Sequence, residues 1–156
     1  MLKGKSAIIT GGVRGIGRAI AEEFCRQGAD VLLCYRSNEE AAKKTAEELK
    51  QFGTRVELLK GDVSDPAHAE EAIRTAKELF GKIDILVNNA GITKDKLLMK
   101  MSPSDFDEVV QANLNGSFYF MQAAAAVMIK QRSGRIINMS SVVGVRGNAG
   151  QVNYSA

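Results

Sequence analysis

Short continuous apolar runs alternate along this chain with longer stretches in which apolar residues recur every three or four positions. The runs predict strands and the longer stretches predict helices. Ser6 to Thr10 is a short apolar strand that runs into Gly11-Gly12, and from about Gly15 to Gln27 the residues Ile16, Ala19, Ile20 and Phe24 fall at helical spacing. Gly28 is placed to cap that helix. Val31 to Tyr35 is an unbroken apolar strand of the kind covered on both faces. Glu39 to Phe52 predicts a helix closed by Gly53, Arg55 to Lys60 a third strand ended by Gly61-Asp62, and Pro66 opens a helix to about Phe80. Ile83 to Val87 is the fourth strand, ending at Asn88-Asn89-Ala90-Gly91. A less regular stretch leads to Pro103, where Ser102 or Ser104 is suited to cap one long helix to about Gln131, weakened internally by Gly116. Arg135 to Met139 is the fifth strand, Gly144, Gly147 and Gly150 mark a loop, and Gln151 begins another helix.

This alternation predicts an α/β fold, a doubly wound parallel sheet with right-handed crossovers. The expected strand order is 3-2-1-4-5, with a cleft at the carboxyl ends of strands one and four, where the order reverses. No linker, internal repeat or low-complexity tract divides the chain.

Composition narrows the class. Hydrophobic residues make up 45% and charged residues 25% of 156 residues, which fits one soluble globular domain. A net charge of +3 is too small to argue for nucleic-acid binding. Cys25, Cys34 and His68 have no metal-site spacing, and the two cysteines are expected to be buried in a protein of a reducing compartment. With no signal peptide and no apolar run of membrane-spanning length, the expected location is the cytoplasm. Met99, Met101, Met121, Met128 and Met139 are expected in the core, and Tyr35 and Tyr119 as packing residues.

Candidate chemistry begins at Thr10-Gly11-Gly12-Val13-Arg14-Gly15-Ile16-Gly17, between a strand and a helix. Gly11 permits a tight exit turn. Gly15 lets the backbone approach a pyrophosphate seated on the helix N-terminus, and Gly17 allows close helix–strand packing. The spacing Gly-x-x-x-Gly-x-Gly differs from the commoner dinucleotide fingerprint, and a tight loop without ligand is the alternative. After Tyr35 stands Arg36 rather than the carboxylate that holds a ribose diol. Its guanidinium suits a 2′-phosphate, with Arg14 placed to close on the same group, so the expected cofactor is NADPH. Asp62-Val63 offers an acceptor for an adenine amino group, and Asn88-Asn89-Ala90-Gly91 is either a further part of that site or an ordinary Asn-rich turn.

Taken together and in order, Thr10-Gly11-x-x-x-Gly15-Ile16-Gly17, Asn88-Asn89-Ala90-Gly91, Asn113, Ser141 and Tyr154 resemble the short-chain dehydrogenase/reductase family across the whole chain. Gly91-Ile92-Thr93, Leu97 to Met101, Asn113 to Gly116 and Ile136 to Tyr154 are similar to the members that reduce a beta-ketoacyl chain on acyl carrier protein in type II fatty acid synthesis. The resemblance implies that Tyr154 is the general acid, that Ser141 orients the substrate carbonyl, and that Gly11, Arg14, Gly15, Ile16, Gly17, Arg36, Asp62, Val63, Asn89, Ala90, Gly91 and Tyr154 hold the dinucleotide. A phenol of pKa about 10 donates poorly at neutral pH. In the family a lysine four residues past the tyrosine corrects this, and Asn113 holds a water linked to it. That lysine position lies past Ala156. Residues 1–156 are therefore expected to be a single NADP-binding Rossmann-like domain cut off after the tyrosine, with the C-terminal part of the fold outside the sequence. A polypeptide that really ended there would have little reductase activity. The resemblance further implies an acyl carrier protein partner and a homotetramer, with the long helix contributing to a partner surface. Lys130, Arg132 and Arg135 form a basic rim, expected near the site mouth, to steer an acidic carrier; a cation-favoring helix end is the alternative. No metal site, nucleic acid or membrane contact is expected. The competing readings are a reductase of acetoacetyl-CoA or of a small alcohol or ketone, and a non-catalytic nucleotide-binding fragment.

Overall fold

The computed structural model describes residues 1–156. Five parallel strands lie in the order β3-β2-β1-β4-β5, the order predicted. They are β1 (Ser6–Thr10), β2 (Asp30–Tyr35), β3 (Val56–Lys60), β4 (Ile85–Asn88) and β5 (Arg135–Asn138). Register pairs Ile8 with Leu32 and with Leu86, so side chains of like parity share a face.

Alternation along the strands sorts the core into two layers. Ile8, Leu32, Cys34 and Leu86 point to one face and pack with Ala69, Ala72 and Ile73 of α3 (Pro66–Phe80) and with Phe120, Ala124 and Met128 of α5 (Gly116–Gln131). Ala7, Ile9, Val31, Leu33, Ile85 and Val87 point to the other and meet Ala21 and Cys25 of α1 (Gly15–Arg26) and Ala46 and Leu49 of α2 (Glu39–Lys50). Both cysteines are free and buried, as expected, but on opposite faces of the sheet. Burial pushes the Cys34 thiol up to about 12, so it behaves as an inert apolar group. β5 is the edge strand that the predicted order implies, and all four of its residues are exposed.

The single long helix expected after Pro103 is divided. α4 (Pro103–Val110) starts in a capping box between Ser102 and Asp105. Residues Gln111–Asn115 then widen into a π turn, and α5 continues from Gly116. Such widened turns favor functional positions, and this one carries Asn113. Gly116 is a contact point rather than a weakness: a Cβ there would stand 2.9 Å from the Val63 carbonyl oxygen, so only glycine lets α5 seat against the end of β3. Leu114, Phe118 and Ile129 line the opposite, exposed side of this segment. Two short helices end the chain, α6 (Val143–Arg146), where a loop was predicted, and α7 (Val152–Ser155). Met128 is buried as expected, but Met99 and Met139 are 87% and 44% exposed. No helix is long and apolar enough to cross a membrane.

Candidate active site

The carboxyl ends of β1 and β4 are stitched together by side chains. Thr10 Oγ1 accepts from the backbone N–H of Asn89 and of Ala90, both at 3.0 Å, and donates to the Val87 carbonyl at 3.4 Å. Asn89 Nδ2 donates back to the carbonyls of Thr10 and Gly11 at 3.0 and 3.2 Å. The exit turn of β1 is thus fixed to that of β4 at the point where the strand order reverses.

The steric role read for Gly17 is met. A Cβ on Gly17 would lie 2.2 Å from the Gly11 carbonyl oxygen, so α1 packs directly on the turn. Gly15 has φ +54 and nothing within 4 Å of its Cβ position, a left-handed residue facing open space. Arg14 at the N-cap of α1 supplies no capping hydrogen bond, and the first turn holds no acid. Helices α2, α3 and α4, by contrast, are capped by the side chains of Asn38, Asp65 and Ser102. The first N–H groups of α1 therefore have no side-chain partner. An uncapped helix start beside a glycine arch is suited to the pyrophosphate of a dinucleotide.

A cleft of about 520 Å³ opens between the ends of β2 and β3 and the π turn, lined by Arg36, Asp62, Ser64, Ile92, Gln111 and Asn115 among others. Asp62 accepts from the Ser64 hydroxyl at 2.7 Å and from its N–H at 2.9 Å, and these bonds, then Arg36, hold its carboxyl below the usual carboxylate range. Arg36 reaches it at 3.7 Å.

Asn113 grips the loop after β4. Its Oδ1 accepts from Ile92 N–H at 2.8 Å and its Nδ2 donates to the Ile92 carbonyl at 2.9 Å. Its own carbonyl accepts from the Ser117 hydroxyl at 2.9 Å. Ser141 lies past the end of β5, where its Oγ accepts from Val143 N–H at 3.2 Å at the start of α6. α7, which bears Tyr154, packs on both α6 and α4. Ser141 and Tyr154 thus sit on segments that pack together.

The profile of the short chain dehydrogenase family matches residues 5–156. The chain belongs to the short-chain dehydrogenase family. Within that family, the 3-oxoacyl-[acyl-carrier-protein] reductase FabG of Staphylococcus aureus (strain Mu50) is 45% identical over 152 residues, covering 97% of this chain and 62% of its own length. The protein of the same name from Aquifex aeolicus is 46% identical over 155 residues, covering 99% of this chain and 62% of its own length. A solved structure described as a short-chain alcohol dehydrogenase from Sinorhizobium meliloti 1021 superposes with a TM-score of 0.94 at 34% identity, covering 99% of this chain and 61% of that one. The chain spans about 62% of the length of these curated relatives.

One positional expectation fails within a single chain. Arg135 starts β5, pairs with Ile85, and its N–H donates to the Asp84 carbonyl at 2.9 Å. Lys130, Arg132 and Arg135 therefore cluster at the amino ends of the strands, whereas the family's glycine turn, Asn89 and Ser141 lie at the carboxyl ends. Lys130 is the cation in the last turn of α5, the place that the alternative reading gave this rim, and Arg132 closes the helix in a left-handed conformation, φ 53. Sequence reading also passed over Thr10 as a site residue, although a threonine ending β1 before a glycine is the visible signal. It passed over Asn153 too, which is 2% exposed.

Proposed function

We propose that this chain carries the cofactor site and the serine–tyrosine pair of an NADPH-dependent 3-oxoacyl-[acyl-carrier-protein] reductase, which converts a beta-ketoacyl thioester to the beta-hydroxyacyl form. The observation that supports the reading is that the uncapped, glycine-arched start of α1 and Ser141 both follow the carboxyl ends of parallel strands of one sheet, with the Tyr154 helix packed on α6 just past Ser141. When bound, NADPH supplies a hydride to the ketone carbon. The remaining work falls to the chain. Negative charge that builds on the substrate oxygen must be met by a proton and a fixed hydrogen bond. Tyr154 donates the proton and Ser141 holds the oxygen. Gly11, Gly15, Ile16 and Gly17 receive the pyrophosphate, Arg14 and Arg36 the 2′-phosphate, and Asp62, Val63, Asn89, Ala90 and Gly91 the adenosine. Asn113 keeps the loop after β4 in place for it. An acyl carrier protein delivers the substrate. Exposed Leu114, Phe118 and Ile129 support packing of α5 against further copies in a homotetramer.

The test is oxidation of NADPH by the full-length gene product with acetoacetyl groups on carrier protein and on coenzyme A. Faster turnover of the carrier-bound substrate, abolished by Ser141→Ala and Tyr154→Phe with NADPH still bound, is the expected result. A preference for the coenzyme A ester or for a simple ketone favors the second reading, a small-ketone reductase, which the likeness to a short-chain alcohol dehydrogenase supports. Tight NADPH binding with no turnover of any ketone removes the enzymatic reading.

A further inference from the structure

α7 has four residues, too few to hold a helix without tertiary support. Its one buried residue is Asn153. The Asn153 Nδ2 donates to the carbonyls of Lys94 and Asp105, each at 3.0 Å, and its Oδ1 accepts from the N–H of Tyr154 at 2.9 Å. Both amide hydrogens and the amide oxygen are therefore engaged. The two residues whose carbonyls it grips are themselves locked. The Asp105 carboxylate accepts from Lys96 Nζ at 2.6 Å and from Ser102 N–H at 3.0 Å, and lies 3.2 Å from Lys94 Nζ. These partners hold the carboxyl well below the usual carboxylate range, Lys96 foremost. A second brace lies just upstream: Lys96 N–H donates to the Gly150 carbonyl at 2.8 Å, and Gln151 Nε2 donates to Asp95 at 3.1 Å.

We propose that Asn153 is the positioning residue for Tyr154, a latch that fixes the phenol-bearing turn to the loop leaving β4. Within that loop Ile92 is held by Asn113 and Lys94, two residues on, by Asn153, beside the brace at Asp95 and Lys96. The tyrosine thereby takes its place from the same segment that follows the nucleotide-binding Asn89–Gly91 turn. Asp105 with Lys94 and Lys96 keeps the carbonyls in position. A latch of this kind acts on orientation and not on cofactor affinity. A shift of about 1 Å in a reacting group costs on the order of 100-fold in rate. The catalytic arm of the inference rests on the reductase reading above; the structural arm does not.

Two variants and one wild-type measurement test it. Asn153→Asp keeps the shape but replaces two donors by acceptors facing two carbonyls, and Asn153→Ala removes the amide. In protein carrying ring-labelled tyrosine, both variants are expected to move the NMR resonances of Tyr154 while those of Tyr35 and Tyr119 stay in place. In the full-length enzyme both should lower kcat roughly 100-fold with KM for NADPH within about twofold. Wild-type Tyr154 resonances and turnover in Asn153→Asp would overturn the latch, as would equal displacement of all three tyrosines. Should neither variant fold, slow solvent exchange of the Asn153 side-chain amide protons in the wild type supports it, and fast exchange overturns it. A wild-type enzyme that turns over no ketone, with the Tyr154 resonances still displaced in the variants, refutes the reductase reading and leaves the latch standing.

Discussion

Arg36 and Asp62 stand 3.7 Å apart just beyond the ends of β2 and β3, an ion pair across the cleft whose side chains are 65% and 42% exposed. A pair so open to water adds little to stability, so its residues are free to serve a ligand. Two Ser64 bonds fix the carboxylate, and the carboxylate in turn keeps the guanidinium at the cleft wall. Arg36→Asp is expected to weaken NADPH at least tenfold and to improve NADH, with no shift in the unfolding midpoint. Titrating both nucleotides against the variant checks this. Unchanged NADPH affinity would remove Arg36 from the 2′-phosphate site.

Gly17 and Gly15 make a contrasting pair of substitutions. A methyl group on Gly17 meets the Gly11 carbonyl at 2.2 Å and Asn89 Nδ2 at 2.5 Å, so α1 must move off the turn. Overpacking of that kind costs about 1–3 kcal/mol, and dinucleotide binding should go with it. Gly15→Ala meets nothing within 4 Å and suffers only the left-handed backbone, φ +54, a strain of about 1–2 kcal/mol. It should fold and yet bind the dinucleotide poorly, because its Cβ enters the ligand space. Denaturant unfolding beside nucleotide titration separates the two.

The strand order was legible because five short strand-like runs, four of them closed directly by glycine, asparagine or serine, leave few topologies open. The glycine turn was legible because its residues are local and its demands are steric. The π turn was not: Gln111 to Asn115 have no composition that separates them from the helices on either side. What marks the turn is a tertiary contact, the reach of Asn113 to Ile92. Asn153 escaped notice because an asparagine beside a tyrosine forms no pattern, and its importance comes from carbonyls 48 and 59 residues away. The basic rim was misplaced for a simpler reason. Residues that precede a parallel strand lie at its amino end, and a site of this fold lies at the carboxyl end.

His68 makes the protein acid-sensitive in a defined window. The ring is 4% exposed, packs edge-on to Phe120 at 5.8 Å, and has no protein hydrogen-bond partner at either nitrogen. Burial pushes its pKa down, against the smaller opposing pull of Glu71, Asp65 and Asp62. The folded state therefore favors the neutral ring, and between the folded and unfolded pKa values the unfolded chain binds more protons. The stabilization is complete above about pH 6.5 and is lost as pH falls from there through the depressed folded value. The carboxylates with lowered pKa, Asp62 and Asp84, act at lower pH. Denaturant midpoints measured from about pH 7 to pH 5 should fall in the wild type and stay nearly level in His68→Phe. Parallel curves would show that the ring is not the titrating group.

The hydroxyl of Thr10 decides whether the two exit turns act as one. It is the shared acceptor for the N–H groups of Asn89 and Ala90, at a residue only 2% exposed. Thr10→Val keeps the shape and removes the acceptor, leaving two amides without it. The cost expected for such a loss is about 1–3 kcal/mol. Asn89 then loses one of the bonds that aim its side chain at the Gly11 carbonyl, so the glycine turn should loosen and NADPH affinity fall by more than the loss of stability alone explains at saturating protein. Thr10→Ser restores the oxygen without the methyl and should recover most of both quantities. If valine and serine behave alike, the methyl contacts and not the hydrogen bonds hold β1 to β4, and the stitched-turn account of the cofactor site is wrong.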